Sequence, residues 1–279
     1  VTTQTDTDLN LAGLEGTAGV VKLKSDGTIT VNETVVAGTD VLLLTSTGDI
    51  TQDFDVNTNS VRDAGEDASI SAGTNAALIA AGNVTQGDAI SATAGDVYVS
   101  AQGGAIAQDA NTVAGTDVRY TASGAVEMAA GTSSTATGGD IRYEAEGGNV
   151  DLSLLSALDS VSVLASGNIT DTDADEGVGS ENILASRARL AAGGSIGSFF
   201  DGADADALPD ESDSNINAVD LAVTNVEAVA GTDVYLESTQ AITVGGVGDV
   251  DTDTAYARFA SGVTTQTDTD LNLAGLEGT

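Results

Sequence analysis

Carboxylates are the side chains that recur at a spacing able to do chemistry. Asp171, Asp173 and Asp175, followed by Glu176, alternate in ITDTDADEG, and Asp249, Asp251 and Asp253 alternate in GDVDTDT. Asp204 and Asp206, then Asp210, Glu211 and Asp213, lie in a polar stretch at 201–215, and Asp6 and Asp8 recur as Asp268 and Asp270. Calcium takes oxygens from carboxylates and carbonyls on a loop, and alternating Asp presents several to one side. Asp171, Asp173 and Asp175 are therefore the candidate Ca²⁺ ligands, although the EF-hand pattern is not met. A plain solvated acidic surface, or adaptation to salt, explains the same residues.

Two carboxylates at a suitable separation can also hydrolyse a glycoside. With 43 Asp and Glu in the chain, however, close pairs arise without selection for catalysis. The basic residues are only Lys22, Lys24, Arg62, Arg119, Arg142, Arg187, Arg189 and Arg258. Arg119 and Arg142 each precede a tyrosine, Tyr120 and Tyr143, at equivalent places in successive repeats. This predicts a stacked surface Arg–Tyr ladder beside acidic neighbours, with a carbohydrate-contacting strip as the alternative. Neither Cys nor His occurs, which excludes disulfides, zinc–thiolate sites and Ser-His-Asp triads. A formal net charge of −35 argues against nucleic acid and anionic membrane as partners. No apolar run is long enough for membrane insertion. The expectation is a protein that is not an enzyme.

The elements that must position these groups are short strands. Hydrophobic residues are 41% against 18% charged, and there is one Pro, so a packed core is expected rather than disorder. A Gly turn followed by a small or polar residue and then Ile or Val recurs at Gly27, Gly48, Gly82, Gly104, Gly124, Gly148, Gly167 and Gly194. AGTD stands at 37–40, 114–117 and 230–233, AGD at 94–96 and GGD at 138–140, each opening an alternating segment such as Val97-Tyr98-Val99. Alternation of apolar and polar residues is the strand period. Short strands and Gly/Asn/Asp turns repeating about every 20 residues fit an all-β, parallel right-handed β-helix, with Gly expected to supply positive φ at the corners. About 13 rungs of about 20 residues fit one unit, a rod of roughly 60 Å. Immunoglobulin-like sandwiches compete poorly, because Trp is absent and the pattern recurs far too often. A calcium-binding β-roll competes poorly because its nonapeptide repeat is missing.

A second period is much longer. Residues 1–17, VTTQTDTDLNLAGLEGT, recur letter for letter at 263–279. Residues 1–262 then form one tandem super-repeat unit and 263–279 begin the next identical unit. The start at Val1 suggests an excerpt of a longer chain.

AGTDVLLLTSTGDITQD (37–53), AGDVYVSAQGGAIAQD (94–109), SRARLAAGGSIGS (186–198) and AVAGTDVYLESTQAITVGG (228–246) resemble filamentous-haemagglutinin-type repeats of giant bacterial exoproteins and adhesins. The resemblance touches most of the chain at the level of rungs, and this sequence departs from it in its acidity and its homogeneous 262-residue repeat. It implies a parallel β-helix shaft, secreted or held at the bacterial cell surface. The leading functional expectation is a rigid module of an extracellular fibre whose partners are adjacent identical units, end to end. Other cells or surface glycans are further candidate partners. A self-assembling sheath or filament subunit and a glycan-binding module are the alternatives.

Overall fold

The structure, a computed structural model, describes residues 8–11, 13–53, 67–173, 181–199, 216–238, 240–248, 250, 252–259, 262–267 and 276–278. Each coil gives one strand to each of three parallel sheets, named here the first, second and third faces in chain order. One coil runs Val84–Gln86, Ile90–Ala92 and Val97–Ala101, and the next runs Ile106–Gln108, Thr112–Ala114 and Val118–Ala122. Every one of these strands pairs with its counterpart one coil on. The result is a right-handed parallel β-solenoid with sheets of 8, 10 and 11 strands. No helix occurs among the described residues, and none is long and apolar enough to cross a membrane.

Period-2 side chains explain the core. On the first face Ile29, Ile50, Val84, Ile106, Val126 and Val150 stack in one inward column, all without exposure. On the third face a column of Ala80, Ala101, Ala122, Ala145, Ala165 and Ala192 closes each strand. Small residues there let the chain turn sharply. The third face sets ten strands in line, with Leu276–Gly278 beside the path. At about 4.8 Å per coil that stack is roughly 43 Å long. This is shorter than the 13 rungs expected, in part because the chain from Val247 to Gln266 adds no coil.

The corners carry the sequence motif. The Asp of AGxD precedes each third-face strand, and its Oδ1 accepts the backbone N–H of the equivalent residue one coil on. Asp96 accepts from Asp117 (3.1 Å), Asp117 from Asp140 (2.7 Å) and Asp140 from Ser160 (2.7 Å). Asn75 fills the same place, accepting from Asp96 N at 3.0 Å. A second corner repeats the device before the first face, where Asp49 accepts from Asn83 N and Asn83 from Ala105 N. These side chains satisfy N–H groups that a turn leaves without a ladder partner.

The motif glycines differ from expectation. Among the described residues the positive-φ glycines are Gly13, Gly131, Gly197, Gly245, Gly246, Gly248 and Gly262, none of them in AGxD. Gly115 is required instead by closeness, since a Cβ there would lie 2.5 Å from Thr93 O in the coil before. Corners stacked at strand spacing leave no room for a side chain between their backbones.

Candidate functional site

The Arg and Tyr residues singled out above point in opposite directions. Arg119 pairs in register with Arg142, and Tyr120 with Tyr143, as the equivalence predicted. Strand alternation then sends the tyrosines into the core and the arginines out of it. The surface Arg–Tyr ladder is therefore not present. Tyr120 and Tyr143 have no exposure, and their rings stack at 4.7 Å with 15° between planes.

Each tyrosine closes a buried polar ring that ties the three faces together. Tyr120 OH donates to Gln86 Oε1, Gln86 Nε2 donates to Thr112 Oγ1 at 2.9 Å, and Thr112 and Tyr120 hydroxyls meet at 2.6 Å. One coil on, Tyr143, Gln108 and Ser134 repeat the arrangement. Gln comes from the first face, Thr or Ser from the second, Tyr from the third. Burial holds both phenols above their ordinary value, so they stay protonated donors.

The arginines lie on an outward column that is nonetheless covered. Along the third face this column runs Leu42, Ala77, Tyr98, Arg119, Arg142, Ser162, Arg189 and Glu227 in register. Arg119 is 5% exposed and Arg142 3%. Both approach Glu144 Oε2, at 3.6 and 3.3 Å. A carbohydrate strip needs accessible guanidinium groups, and these are not accessible.

The cover is the chain's own later segment, which runs back along the axis as a strap. Arg187 Nη1 donates to Val247 O at 2.8 Å, and Val247 N donates to Glu227 Oε1 at 3.2 Å. Further along, Ala255 N donates to Asp96 Oδ2 at 2.6 Å, and Tyr256 stacks on Tyr98 at 5.1 Å. Tyr256 and Phe259 pack on a satellite cluster of Leu42, Ala77, Ile79 and Tyr98. Lys22 Nζ reaches Arg258 O at 2.6 Å near the first coils. The strap then reverses, as Thr254–Ala257 pairs antiparallel with Val263–Gln266.

The calcium candidates divide. Asp171 is 8% exposed, and its Oδ1 accepts from Asn182 Nδ2 at 2.7 Å and Asp173 N at 2.8 Å. Asp173 Oδ1 accepts from Gly131 N at 3.0 Å and its Oδ2 from Ser153 Oγ at 2.8 Å. Both carboxylates thus accept donors from the protein, tying together neighbouring coils. Asp175, Asp249, Asp251 and the acids of 201–215 lie outside the described residues. Among the described residues no three acids gather as metal ligands. Burial raises the Asp171 carboxyl above its ordinary value, against hydrogen bonds that lower it.

Comparison with family models, with curated proteins and with solved structures gives no match. The parallel β-solenoid repeat fold therefore stands on geometry alone. The corner ladder is a further electrostatic feature. Asp117 is pushed up from 3.8 to about 6, first by burial and then by its neighbours Asp96, Asp140 and Asp253, against the Asp140 N–H that lowers it. Asp140 is raised too, again by burial first. This carboxylate stack is structural, because its oxygens cap backbone N–H groups.

The strap and the Tyr–Gln rings went unread in the sequence. Two signals could have found them. VLLL at 41–44 and AALIA at 76–80 are apolar at consecutive positions, which marks strands buried on both faces. Val118 and Tyr120 share one parity, which places the tyrosine with the core rather than with Arg119.

Proposed function

We propose that this chain is a non-catalytic structural module, one length of the rigid shaft of a giant secreted or cell-surface fibre of adhesin type. The observation that carries the reading is the three-faced parallel ladder, continued on the first face past Ile169–Asp171 by bridges through Ile196 and Val234, combined with a sequence that resumes letter for letter after 262 residues. Stacked coils resist bending because every coil is hydrogen-bonded to the next on three sides. Repetition lengthens such a rod without a new fold. Polar groups that look catalytic by composition serve the scaffold instead: corner carboxylates cap N–H groups, and the buried Arg column lies under the strap. The acidic coat keeps long β-rods from associating sideways. The resemblance to filamentous-haemagglutinin-type repeats supports the surface location.

Proteins carrying one, two and three tandem units test the proposal by electron microscopy of single particles. Contour length should rise by a constant step, with unit-to-unit bends no wider than those within a unit. Particles that collapse or hinge freely between units would refute the shaft. Antibody against the unit should decorate long appendages on source cells, and decoration confined to the cytoplasm would refute the location.

A further inference from the structure

The repeated 17 residues meet the solenoid twice, at opposite ends and on different faces. In the first copy Leu14–Gly16 opens the second face and pairs with Val35, Val36 and Ala37. In the second copy the same tripeptide, Leu276–Gly278, pairs with Ala228, Val229 and Ala230 on the third face. All coils stack in one sense. A strand that precedes its partner and a strand that follows its partner therefore use opposite edges. Leu-Glu-Gly thus shows one edge to the coil after it in the first copy, and the other edge to the coil before it in the second.

The registers agree between the two. Leu is set against Val35 in one copy and Ala228 in the other, and both are without exposure. Gly is set against Ala37 and Ala230, which are 4% and 1% exposed. Glu is set against Val36 and Val229, the intervening outward positions. The pairing register is therefore the same across both edges, as a continuous ladder requires. Leu14 already packs on the core from its one occupied side. The first residues of the repeat behave differently, since Val263–Gln266 pairs back on the strap of the unit before.

We propose that Leu-Glu-Gly is the joint strand between consecutive units, and that the joint turns the fibre by one face. The surface is the end coil of one unit, and its partner is the next copy of the same unit. In a tandem, Ala228–Ala230 of one unit, the joint, and Val35–Ala37 of the next form one ladder. The third face of each unit then runs into the second face of its successor. Three units complete a turn, and straps covering the third faces spiral around the shaft rather than lining one side. This inference rests on the shaft reading and specifies its joint.

Cryo-electron microscopy of a six-unit tandem tests it. The expected map is a straight rod whose straps step by a third of a turn per unit, with a repeat of three units. A straight rod with straps in line, second face running into second face, would overturn the joint and leave the shaft standing. A string of particles hinged at each junction would overturn both. A second measurement uses Glu→Pro in the joint, because Pro removes a ladder donor. Glu277→Pro between two units should introduce a bend at that junction, whereas Glu15→Pro at the free end should leave the rod straight. Junctions as straight with the proline as without it would overturn the joint.

Discussion

Removing one hydroxyl from the core, by Tyr120→Phe, tests how the three faces are pinned. The ring stays in place and its stack on Tyr143 is kept, so no cavity term enters. The change leaves Gln86 Oε1 without its phenolic donor and the Thr112 hydroxyl without its phenolic acceptor. Gln86 and Thr112 both have no exposure, so water cannot substitute. An unsatisfied buried polar group costs about 1–3 kcal/mol. Thr112 can turn its hydroxyl elsewhere, so the sum should fall near 2–4 kcal/mol rather than at the upper limit. At roughly 2–4 °C per kcal/mol for a chain of this size, the melting midpoint should drop by about 4–16 °C. Far-UV circular dichroism during heating reads the midpoint, and hydrogen exchange at the strands around Gln86, Thr112 and Tyr120 reads local opening. The triple variant Gln86→Leu, Thr112→Val, Tyr120→Phe removes all three polar partners at once. It should recover most of the loss, because no group is left unpaired. A Tyr120→Phe protein within about 0.5 kcal/mol of the parent, an ordinary surface-substitution effect, would refute the reasoning. So would a triple variant less stable than the single one.

The corner ladder gives a pH dependence whose sign follows from the raised carboxyls. A carboxyl raised in the fold contributes stability that is complete below 3.8 and is lost as pH rises through about 6, the value for Asp117. The melting midpoint should therefore fall between pH 4 and pH 7, and a midpoint that climbs over that range would contradict the ladder. Asp117→Asn keeps the Oδ1 acceptor, as Asn75 does two corners earlier, so it should stabilise at pH 8 and be neutral at pH 4. Gly115→Ala drives a Cβ to 2.5 Å from Thr93 O and should cost about 1–3 kcal/mol in denaturant titrations. Tyr256→Ala removes a ring stack worth about 0.5–1.5 kcal/mol beyond its buried area. It should also raise dye binding at the uncovered Leu42 and Tyr98, and unchanged dye binding would argue against the strap as a cover. A chelator should leave the melting midpoint unchanged, because Asp171 and Asp173 already accept protein donors. A drop of several degrees would restore calcium to the candidate ligands Asp171, Asp173 and Asp175.

The parts of the fold that were readable are those written locally. A turn residue whose carboxylate caps the next coil must recur once per coil, so AGxD marked the corners, and alternation marked the strands between them. Coil count was less readable, because Val247 to Gln266 has the Gly, Asp and Val of another coil but lies outside the stack. Nothing within GDVDTDTAYARF tells a strand in a ladder from a strap across one. The information lies more than a hundred residues away, in the apolar outward positions Leu42, Ala77 and Tyr98 that need a cover. The partners of the candidate carboxylates were hard to read for a similar reason. Asp171 and Asp173 read as free ligands in one dimension, yet Gly131 and Ser153, from two earlier coils, donate to Asp173, and Asn182 donates to Asp171.

The strap also explains how an acidic rod can contain a basic column. Arg119, Arg142 and Arg189 sit on one outward line, each less than a tenth exposed, in a chain with only eight basic residues. Left open, that line and the apolar Leu42 to Tyr98 stretch beside it would be a surface on which acidic rods could adhere to each other. Opposite charge and apolar area would both draw a neighbouring rod there. The strap occupies the line from within the same chain, at an effective concentration no neighbour can match. It brings Asp253 close enough to raise Asp117, an electrostatic cost paid where the ladder is already strained by like charge. Sideways association is thereby suppressed along the flank, while the end coils keep open ladder edges. The fold-back that buries the basic column thus removes an adhesive line from the flank.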